Sequence, residues 1–358
     1  MSSTYVQKSP GVLVNKFDYT RAGNPTVEAF ELCQADLDFA KYGIAFSSGC
    51  AAMTCVFSIL KSGDHVVIGD DVYGGTNRLL NKVISRFGIE TKMVDFACDS
   101  WKKSLNKDVK ILFIETPTNP TLKIFNIKEI CDEAKKFGII TVVDNTFATA
   151  YIQSPILLGA DIVLNSSTKY IGGHSDCIGG IITTNSQELH DKIRFNLLSM
   201  GPCASPFDSY LMLRSLKTMK VRMAQHCKNA RVIAEYLESH SKVDKVLYPG
   251  LESHPQHETA KLQMRDFGGM ITIYLKGNVK HTRQFLENVK IFFLAESLGG
   301  VESLIECPAL MTHMSVPPEQ RKILGIDDSL VRLSVGIEDV EDLLEDLDQA
   351  LAKVDEIK

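Results

Sequence analysis

The sequence predicts an α/β fold with a largely parallel sheet, followed by a smaller domain of mixed strands and helices. Three observations support this prediction. Apolar, strand-like runs alternate with helical patterns from about residue 40 to residue 185, and their spacing suits βαβ units. A long helical stretch around Phe207 to Leu237 leads into a different pattern, which contains further strand-like runs. The tail from Glu338 is amphipathic, with apolar residues at helical spacing.

Each predicted strand is a short run rich in Val and Ile, the residues that favour buried strands. In chain order the candidates are Val66–Ile68, Ile111–Ile114, Ile140–Val143, Asp161–Leu164, Ile178–Ile182, Gly269–Leu275 and Ser329–Val335. The apolar face of the terminal helix is formed by Val340, Leu343, Leu344, Leu347 and Leu351. We place the boundary between two domains near residue 220, so that residues 1–20 form an arm, 21–220 a ligand-binding domain and 221–358 a C-terminal domain.

Composition narrows the class of protein. A chain of 358 residues, with 44% hydrophobic and 23% charged residues, is typical of a globular protein of about two domains. The formal net charge of -5 argues against nucleic acid or an anionic membrane as a partner. Apolar runs stay well short of the roughly 20 residues of a membrane-spanning helix.

The amino-terminal segment and the cysteines indicate a cytoplasmic protein. The segment Met1–Tyr5 lacks the basic and then apolar pattern of a signal peptide. Nine cysteines at irregular spacing suggest reduced thiols. Since no Cys-x-x-Cys pair or His/Cys cluster is present, we expect no metal site.

The candidate catalytic pair is Asp144 and Lys169. Asp144 closes the apolar run Ile139–Val143, and Lys169 follows the run Ala160–Leu164 within the sequence Ser-Ser-Thr-Lys-Tyr. In an α/β sheet both would lie at the carboxyl ends of parallel strands, where such folds bind ligands.

A lysine and an aspartate are what pyridoxal 5'-phosphate (PLP) needs. The amine forms a Schiff base with the aldehyde, and the carboxylate keeps the pyridine nitrogen protonated so that the ring accepts electrons. Taken alone, a Ser/Thr-rich turn that ends in lysine is usually a solvated loop, and an aspartate after a buried strand is commoner in structural or nucleotide sites.

A phosphate site is predicted at Ser47–Met53, which opens a helical pattern. Glycine at position 49 allows close approach to a ligand, and the backbone N–H groups of a helix start bind phosphate. The hydroxyl groups of Ser166 and Thr168 would donate to the same phosphate, although turn capping is their alternative role.

Two loops after strands add further candidates. Tyr73 lies in Asp71–Arg78, where the pair Gly74 and Gly75 suggests a loop crowded against a ligand. Tyr73 would stack on a flat ring and act as an acid or base, or it is a half-buried tyrosine in a surface turn. In Glu115–Pro120, the prolines end the strand and place Asn119 at its carboxyl end.

Arg332 lies within an otherwise apolar strand, and a buried arginine is rare unless it is paired. Its planar fork matches a carboxylate, so we consider it a candidate for binding the α-carboxylate of an amino acid. The alternative is an edge-strand arginine in a structural ion pair.

Together these motifs resemble the Cys/Met-metabolism PLP-dependent enzymes nearly end to end. The matching segments are Tyr19–Pro25, Asp71–Arg78, Glu115–Pro120, Val143–Thr146, Ser166–Tyr170 with Gly173–Asp176, Ala295–Gly300 and Arg332–Gly336. The resemblance implies the aspartate-aminotransferase-like (type I) PLP fold, with a large, mainly parallel α/β domain and a smaller α+β C-terminal domain.

The resemblance also implies a role for each candidate. Lys169 would form the Schiff base, Asp144 would bind the pyridine nitrogen and Tyr73 would stack on the ring. The phosphate would be held by Gly49, Cys50, Ser166 and Thr168, and by Tyr19 and Arg21 of a neighbouring subunit. The substrate carboxylate would be bound by Arg332 and Asn119, and the distal part of the substrate would face Arg78 and Glu296. Ser297 and Tyr19 would also bind the substrate.

Within the family, the pattern is most similar to the branch that cleaves L-cystathionine by γ-elimination to L-cysteine, 2-oxobutyrate and ammonia. Glu296 resembles γ-acting members rather than β-lyases, and Gly75 stands where methionine γ-lyases usually carry cysteine. The alternatives are γ-replacement on an activated homoserine, as in the γ-synthases, and a non-catalytic α/β binding protein.

Two departures from the family pattern are expected to matter. The chain begins about forty residues into typical members, so the arm that clasps a neighbouring subunit is shortened. We still expect a homo-oligomer, a dimer of dimers with active sites shared between two chains. Cys50 replaces an aliphatic residue, and its thiol is expected to be buried and inert, or activated by the helix start.

Overall fold

The computed structural model describes residues 1–314 and 318–355. Its strands are β1 Gln7–Ser9, β2 Val12–Leu13, β3 Tyr42–Phe46, β4 His65–Gly69, β5 Glu90–Val94, β6 Val109–Glu115, β7 Ile140–Asp144, β8 Ile162–Asn165, β9 Gly180–Thr184, β10 Val243–Leu247, β11 Met270–Leu275, β12 Phe293–Leu294, β13 Leu304–Glu306 and β14 Leu330–Ser334.

The helices are α1 Pro25–Leu37, α2 Gly49–Phe57, α3 Gly74–Lys82, α4 Ile127–Lys135, α5 Thr149–Ile152, α6 Gln187–Met200, α7 Pro206–Leu216, α8 Met219–Glu238, α9 His257–Gln263, α10 Val279–Asn288, α11 Pro318–Ile323 and α12 Val340–Ala352. Short 3-10 helices lie at Ile84–Phe87, Asp99–Ser104 and Pro308–Leu310. Among the described residues, no helix is both long enough and apolar enough to cross a bilayer.

The larger sheet has seven strands in the order β3-β9-β8-β7-β6-β4-β5. Each neighbouring pair from β8 to β5 is parallel. Only β9 runs antiparallel to its neighbours, β3 and β8. The predicted, mainly parallel sheet is therefore confirmed, and the carboxyl ends of β6, β7 and β8 lie side by side.

The apolar runs form strands because both faces of the sheet are covered. Successive residues of β4 alternate between two hydrophobic clusters: Val66 and Ile68 pack with residues of α2 and α6, whereas Val67 packs with α4. β6 alternates in the same way. Helices on both faces of a parallel sheet produce such continuous apolar runs.

The structure differs from the predicted elements in several respects. The prediction did not include strands β1, β2, β3, β5, β10, β12 and β13. β9 begins at Gly180 rather than Ile178, because the backbone N–H and carbonyl of Gly179 are both bonded to Thr168. The helical stretch predicted around Phe207–Leu237 consists of two helices, α7 and α8. Gly74 and Gly75 form the first turn of α3 instead of a loop.

The smaller sheet has the order β10-β11-β14-β13-β12. Its core is closed by apolar residues of α8, α10 and α12, which include the predicted Leu343, Leu347 and Leu351 of the amphipathic tail. Arg332 lies on β14, the central strand, so the alternative of an edge-strand arginine is wrong. The domain boundary near residue 220 remains a prediction.

Candidate active site

A cavity of about 360 Å³ lies at the carboxyl ends of the central parallel strands. It brings together residues from both sheets, because the segment Glu296–Leu298 and Arg332 of β14 close one side. Eleven of the predicted site residues line it: Gly49, Cys50, Tyr73, Asn119, Asp144, Ser166, Thr168, Lys169, Glu296, Ser297 and Arg332.

Asp144 is the last residue of β7 and is held by Thr146. The backbone N–H and hydroxyl of Thr146 donate to Oδ1 of Asp144 at 3.0 and 2.5 Å. The Thr146 hydroxyl in turn accepts the N–H of Ser166 at 2.8 Å, which connects the ends of β7 and β8. Burial raises the pKa of Asp144 to about 6. The carboxylate is thus oriented, and Oδ2 accepts no hydrogen bond from the described residues.

Lys169 follows β8 and extends toward the opposite wall. Its Nζ donates to Oγ of Ser297 at 2.7 Å. Burial, and then the positive charge of Arg332, lower the pKa of Lys169 to about 8. A larger fraction of the amine is therefore uncharged near neutral pH, as a nucleophile or base requires.

Ser297 connects Lys169 with Arg332. Its carbonyl accepts a hydrogen bond from Nη2 of Arg332 at 2.7 Å, while its hydroxyl accepts the Lys169 amine. Its φ is +88°, in the left-handed region that non-glycine residues rarely occupy. Such strain is maintained where the surrounding structure fixes it, and it is common in binding sites.

The predicted phosphate cradle lies at the start of α2. Ser48 caps the helix by accepting the N–H of Ala51 at 3.0 Å. The N–H groups of Gly49 and Cys50 precede the first intrahelical hydrogen bond, so they are available to an anion. A Cβ at position 49 would lie 3.1 Å from Cβ of Ser166, so glycine allows the two segments to meet.

The hydroxyl groups of Ser166 and Thr168, the two predicted donors of the cradle, differ in their availability to a phosphate. Oγ of Ser166 has no hydrogen-bond partner among the described residues. Oγ1 of Thr168 accepts the N–H of Gly179 at 3.0 Å and donates to its carbonyl at 3.2 Å. Donation from Thr168 to a phosphate therefore requires its hydroxyl to rotate, whereas Ser166 is available as it stands.

The surroundings of Cys50 disfavour its thiolate form. Burial raises its pKa, and this effect outweighs the lowering influence of the positive charge of Arg78. This direction favours the expected inert thiol over a thiol activated by the helix start, and the Cys50 side chain is half-buried.

Tyr73 forms another wall of the cavity. Its backbone N–H donates to Oε2 of Glu115 at 2.9 Å. Burial raises the pKa of Tyr73, so the phenol remains a proton donor at neutral pH. A Cβ at position 75 would lie 2.2 Å from Cε1 of Tyr73. The glycine pair was predicted to be crowded against a ligand. In the structure, Gly75 is instead crowded against the ring of Tyr73.

Arg332 is 2% exposed and makes three contacts. Nη1 donates to Oδ1 of Asn119 at 2.8 Å, Nη2 donates to the carbonyl of Ser297, and Nη2 lies 3.0 Å from Oε1 of Glu306. Its Nε has no partner in the described part of the chain. The ion pair that was considered as the alternative role of Arg332 therefore exists, with Glu306. The Nε–H group of Arg332 has no partner among the described residues and is available to a ligand.

The structure leaves three predicted residues outside the cavity lining. Arg78 is exposed on α3 and acts on Cys50 and Tyr73 only through its charge. Tyr19 and Arg21 are exposed, with the Arg21 guanidinium 5.4 Å from the Tyr19 ring centroid. Arg21 also donates to the carbonyl of Leu198. Neither reaches the cavity of its own chain.

Three cavity-linked residues were missed by the sequence reasoning: Thr146, Glu115 and Glu306. Thr146 and Glu115 adjoin residues that were singled out, so their positions after strands were the available signal. Glu306 faces Arg332 only through the antiparallel register of β13 and β14, which the sequence pattern does not reveal.

The cavity residues fit PLP by their chemistry. An amine, a carboxylate with an unpaired oxygen and an anion cradle at a helix start match the aldehyde, the pyridine nitrogen and the phosphate. When bound, PLP supplies an electron sink for carbanions. Lys169, Asp144 and the cradle of Gly49, Cys50 and Ser166 are the residues that would hold it.

Comparison with known proteins supports the same conclusion. Residues 1–352 match the family described as Cys/Met metabolism PLP-dependent enzyme. Cystathionine gamma-lyase from Dictyostelium discoideum is 53% identical over 354 residues, which are 99% of this chain and 92% of that protein. Cystathionine beta-lyase from Lactococcus lactis is 51% identical over 353 residues, 98% of this chain and 92% of that protein.

A solved structure shows the same fold. Cystathionine gamma synthase from Xanthomonas oryzae, in complex with aminoacrylate and cysteine, has a TM-score of 0.96 and 41% identity, covering 99% of this chain and 92% of that chain. The expected type I PLP fold is thereby confirmed. The chain belongs to the Cys/Met metabolism PLP-dependent enzymes.

Proposed function

We propose that this protein is a cystathionine γ-lyase, which converts L-cystathionine and one water to L-cysteine, 2-oxobutyrate and ammonia. The observation that carries the proposal is the single cavity that joins Lys169, Asp144 and Arg332. Relatives at 50–53% identity over nearly the whole chain, named cystathionine gamma-lyase, support the reaction type.

Lys169 and Tyr73 would carry out the proton transfers, each at a different step. Lys169, whose amine is partly uncharged near neutral pH, would remove the proton at Cα and then one at Cβ. Tyr73 keeps its phenol proton and would donate to the sulfur that leaves Cγ, with protonated Lys169 as the other candidate acid. The oriented charge of Asp144 would keep the pyridine nitrogen of PLP protonated.

Substrate binding is assigned to Arg332, Asn119 and Ser297. The guanidinium is fixed by Asn119 and by the Ser297 carbonyl, so little rotamer freedom is lost when a carboxylate binds. Glu296, exposed at the cavity wall, would face the distal amino group of cystathionine.

The Arg332→Lys variant is expected to raise KM strongly for every amino-acid substrate. A lysine offers a point charge and cannot make the two-pronged contact of a guanidinium, nor hold Asn119 and Ser297 together. Steady-state kinetics with cystathionine and a second amino acid provide the measurement. An unchanged KM would mean that Arg332 serves only its ion pair with Glu306.

Product analysis distinguishes the candidate reactions. With L-cystathionine alone we expect 2-oxobutyrate and cysteine. Pyruvate and homocysteine would indicate a β-lyase. Formation of cystathionine from cysteine and acyl- or phosphohomoserine, at a higher rate than its cleavage, would indicate a γ-synthase. A purified protein that lacks the yellow colour of bound PLP would favour a non-catalytic binding protein.

The proposal includes a two-chain active site. Tyr19 and Arg21 are exposed and do not line their own chain's cavity, which suits a role in the cavity of a neighbour. We therefore retain the dimer with shared sites, assembled into a tetramer, together with the distal role of Arg78 and the substrate contact of Tyr19. The proposed domain boundary near residue 220 falls at the start of α8. All nine cysteines are free, which suits the proposed cytosolic location.

Mixing two inactive variants tests the shared site. Lys169→Ala and Arg21→Ala chains are unfolded and reassembled together. If each site combines Lys169 of one chain with Arg21 of the other, a mixed dimer has one intact site. Random pairing makes about half of the dimers mixed, so activity should recover to roughly a quarter of the wild-type value.

This experiment needs two controls: Arg21→Ala alone must be nearly inactive, and the wild type must survive reassembly. Mixed dimers that form but remain inactive would contradict the shared site.

A further inference from the structure

A second carboxyl group stands beside Asp144. Glu115 ends β6, lines the cavity and is 5% exposed. Glu115 and Asp144 are paired in the register of the parallel strands β6 and β7. Residues paired in this way direct their side chains to the same face of the sheet, so two carboxyl groups are neighbours at the cavity floor.

The negative charges of Asp144 and Asp71 act on Glu115. It makes no ion pair within the described part of the chain. Burial is the main cause that raises its pKa well above the usual range, followed by the charge of Asp144 and, more weakly, that of Asp71. The N–H groups of Tyr73 and Asn119 oppose this rise but do not cancel it. Two adjacent buried carboxyl groups do not both ionise readily.

The hydrogen bond between Glu115 and the backbone of Tyr73 indicates a structural role for the carboxyl group. Oε2 of Glu115 accepts the Tyr73 backbone N–H at 2.9 Å, at the point where the chain enters α3. A neutral carboxyl group still accepts such a bond through its carbonyl oxygen. The contact therefore needs an oxygen atom at this place and does not need a charge.

We propose that Glu115 is a positioning residue that works as a neutral carboxylic acid: it anchors the backbone of Tyr73 to the end of β6 and leaves Asp144 as the only charge of the carboxyl pair. The inference rests on the PLP site of the proposed function but not on the substrate. A single carboxylate would thus face the pyridine nitrogen, without a second uncompensated charge in a buried site.

The test compares Glu115→Gln, which keeps the acceptor oxygen and the shape of a neutral acid, with Glu115→Ala, which keeps neither. Glu31→Gln is the matched control, because Glu31 is also buried and accepts a backbone N–H, from Ala45 at 2.8 Å, but is paired with Arg194 at 2.8 Å. Infrared difference spectra are recorded at pH 8, above the pKa of about 6 that burial gives Asp144.

We expect the wild type to show the carbonyl stretch of a protonated carboxyl group that is lost in Glu115→Gln and kept in Glu31→Gln. Glu115→Gln should retain PLP binding and turnover within about threefold of wild type. Glu115→Ala should lose roughly tenfold in turnover, because the Tyr73 N–H is left without its acceptor.

Two results would overturn the inference. One is a carbonyl stretch of protonated carboxyl groups that is the same in Glu115→Gln as in the wild type, since Glu115 would then be ionised. The other is a folded, PLP-bound Glu115→Gln variant as defective as Glu115→Ala, since a charge would then be required.

If Glu115→Gln does not fold, Asp144→Asn decides the question. Without the neighbouring charge, the neutral-acid signal of Glu115 must disappear at a lower pH than in the wild type, and an unchanged midpoint would contradict the pairing. The infrared and PLP-binding measurements involve no substrate, so they fail independently of the proposed lyase activity.

Discussion

The Lys169→Ala variant is expected to lose turnover completely and to bind PLP without a covalent bond. The reason is that Lys169 is the one lysine among the residues that line the described cavity. Its amine is prepared for the role by burial and by Arg332, which lower its pKa to about 8. Removing it deletes both the attachment point and the base. Turnover and the visible absorption of bound PLP are the two measurements.

Lys123→Ala is the matched control for this prediction. Lys123 is also partly buried, but its Nζ pairs with Asp70 at 3.0 Å and Asp95 at 3.3 Å and does not line the cavity. This variant should keep PLP covalently bound. Residual turnover by Lys169→Ala in a homogeneous preparation would mean that another group acts as the base.

The Asp144→Asn variant is expected to keep PLP bound and to lose activity by about 10²-fold or more, by analogy with other preorganised electrostatic contacts. The amide oxygen can still accept both hydrogen bonds from Thr146, so the local geometry should survive. What is lost is the negative charge that keeps the pyridine nitrogen protonated.

Single-turnover kinetics and the absorption spectrum of bound PLP separate this chemical defect from weaker binding. Asp144→Ala, which also removes the contacts with Thr146, should bind PLP less tightly than Asp144→Asn. A near-normal kcat in Asp144→Asn would contradict the electron-sink role.

The sequence was sufficient to locate the residues that follow strands. Asp144 closes one apolar run and Lys169 comes a few residues after another, and parallel strands bring their carboxyl ends to one edge. The same argument predicted Asn119, which also lines the cavity. These predictions succeeded because they depend on local pattern and on the topology of a parallel sheet.

Other features depend on pairing between distant segments. The contact of Arg332 with Glu306 follows from the register of β13 and β14, and the pair formed by Glu115 and Asp144 follows from that of β6 and β7. A pattern of apolar residues does not fix register between particular strands. The left-handed backbone of Ser297 has no local signal either, because the surrounding contacts impose it.

The edge strand β5 escaped prediction for a related reason. Its residues are exposed or half-buried, so the strand lacks the continuous apolar run of its neighbours. Tyr19 and Arg21, by contrast, were proposed as site residues from the family resemblance. Within a single chain they do not line the cavity.

The central claim is that this cavity carries PLP on Lys169. Reduction of the PLP-loaded protein with borohydride fixes the bond between lysine and PLP as a stable amine, and digestion followed by mass spectrometry then locates it. We predict one modified peptide, which contains the sequence Ser166–Tyr170 with the label on Lys169. A label on any other lysine would contradict the assignment of the site.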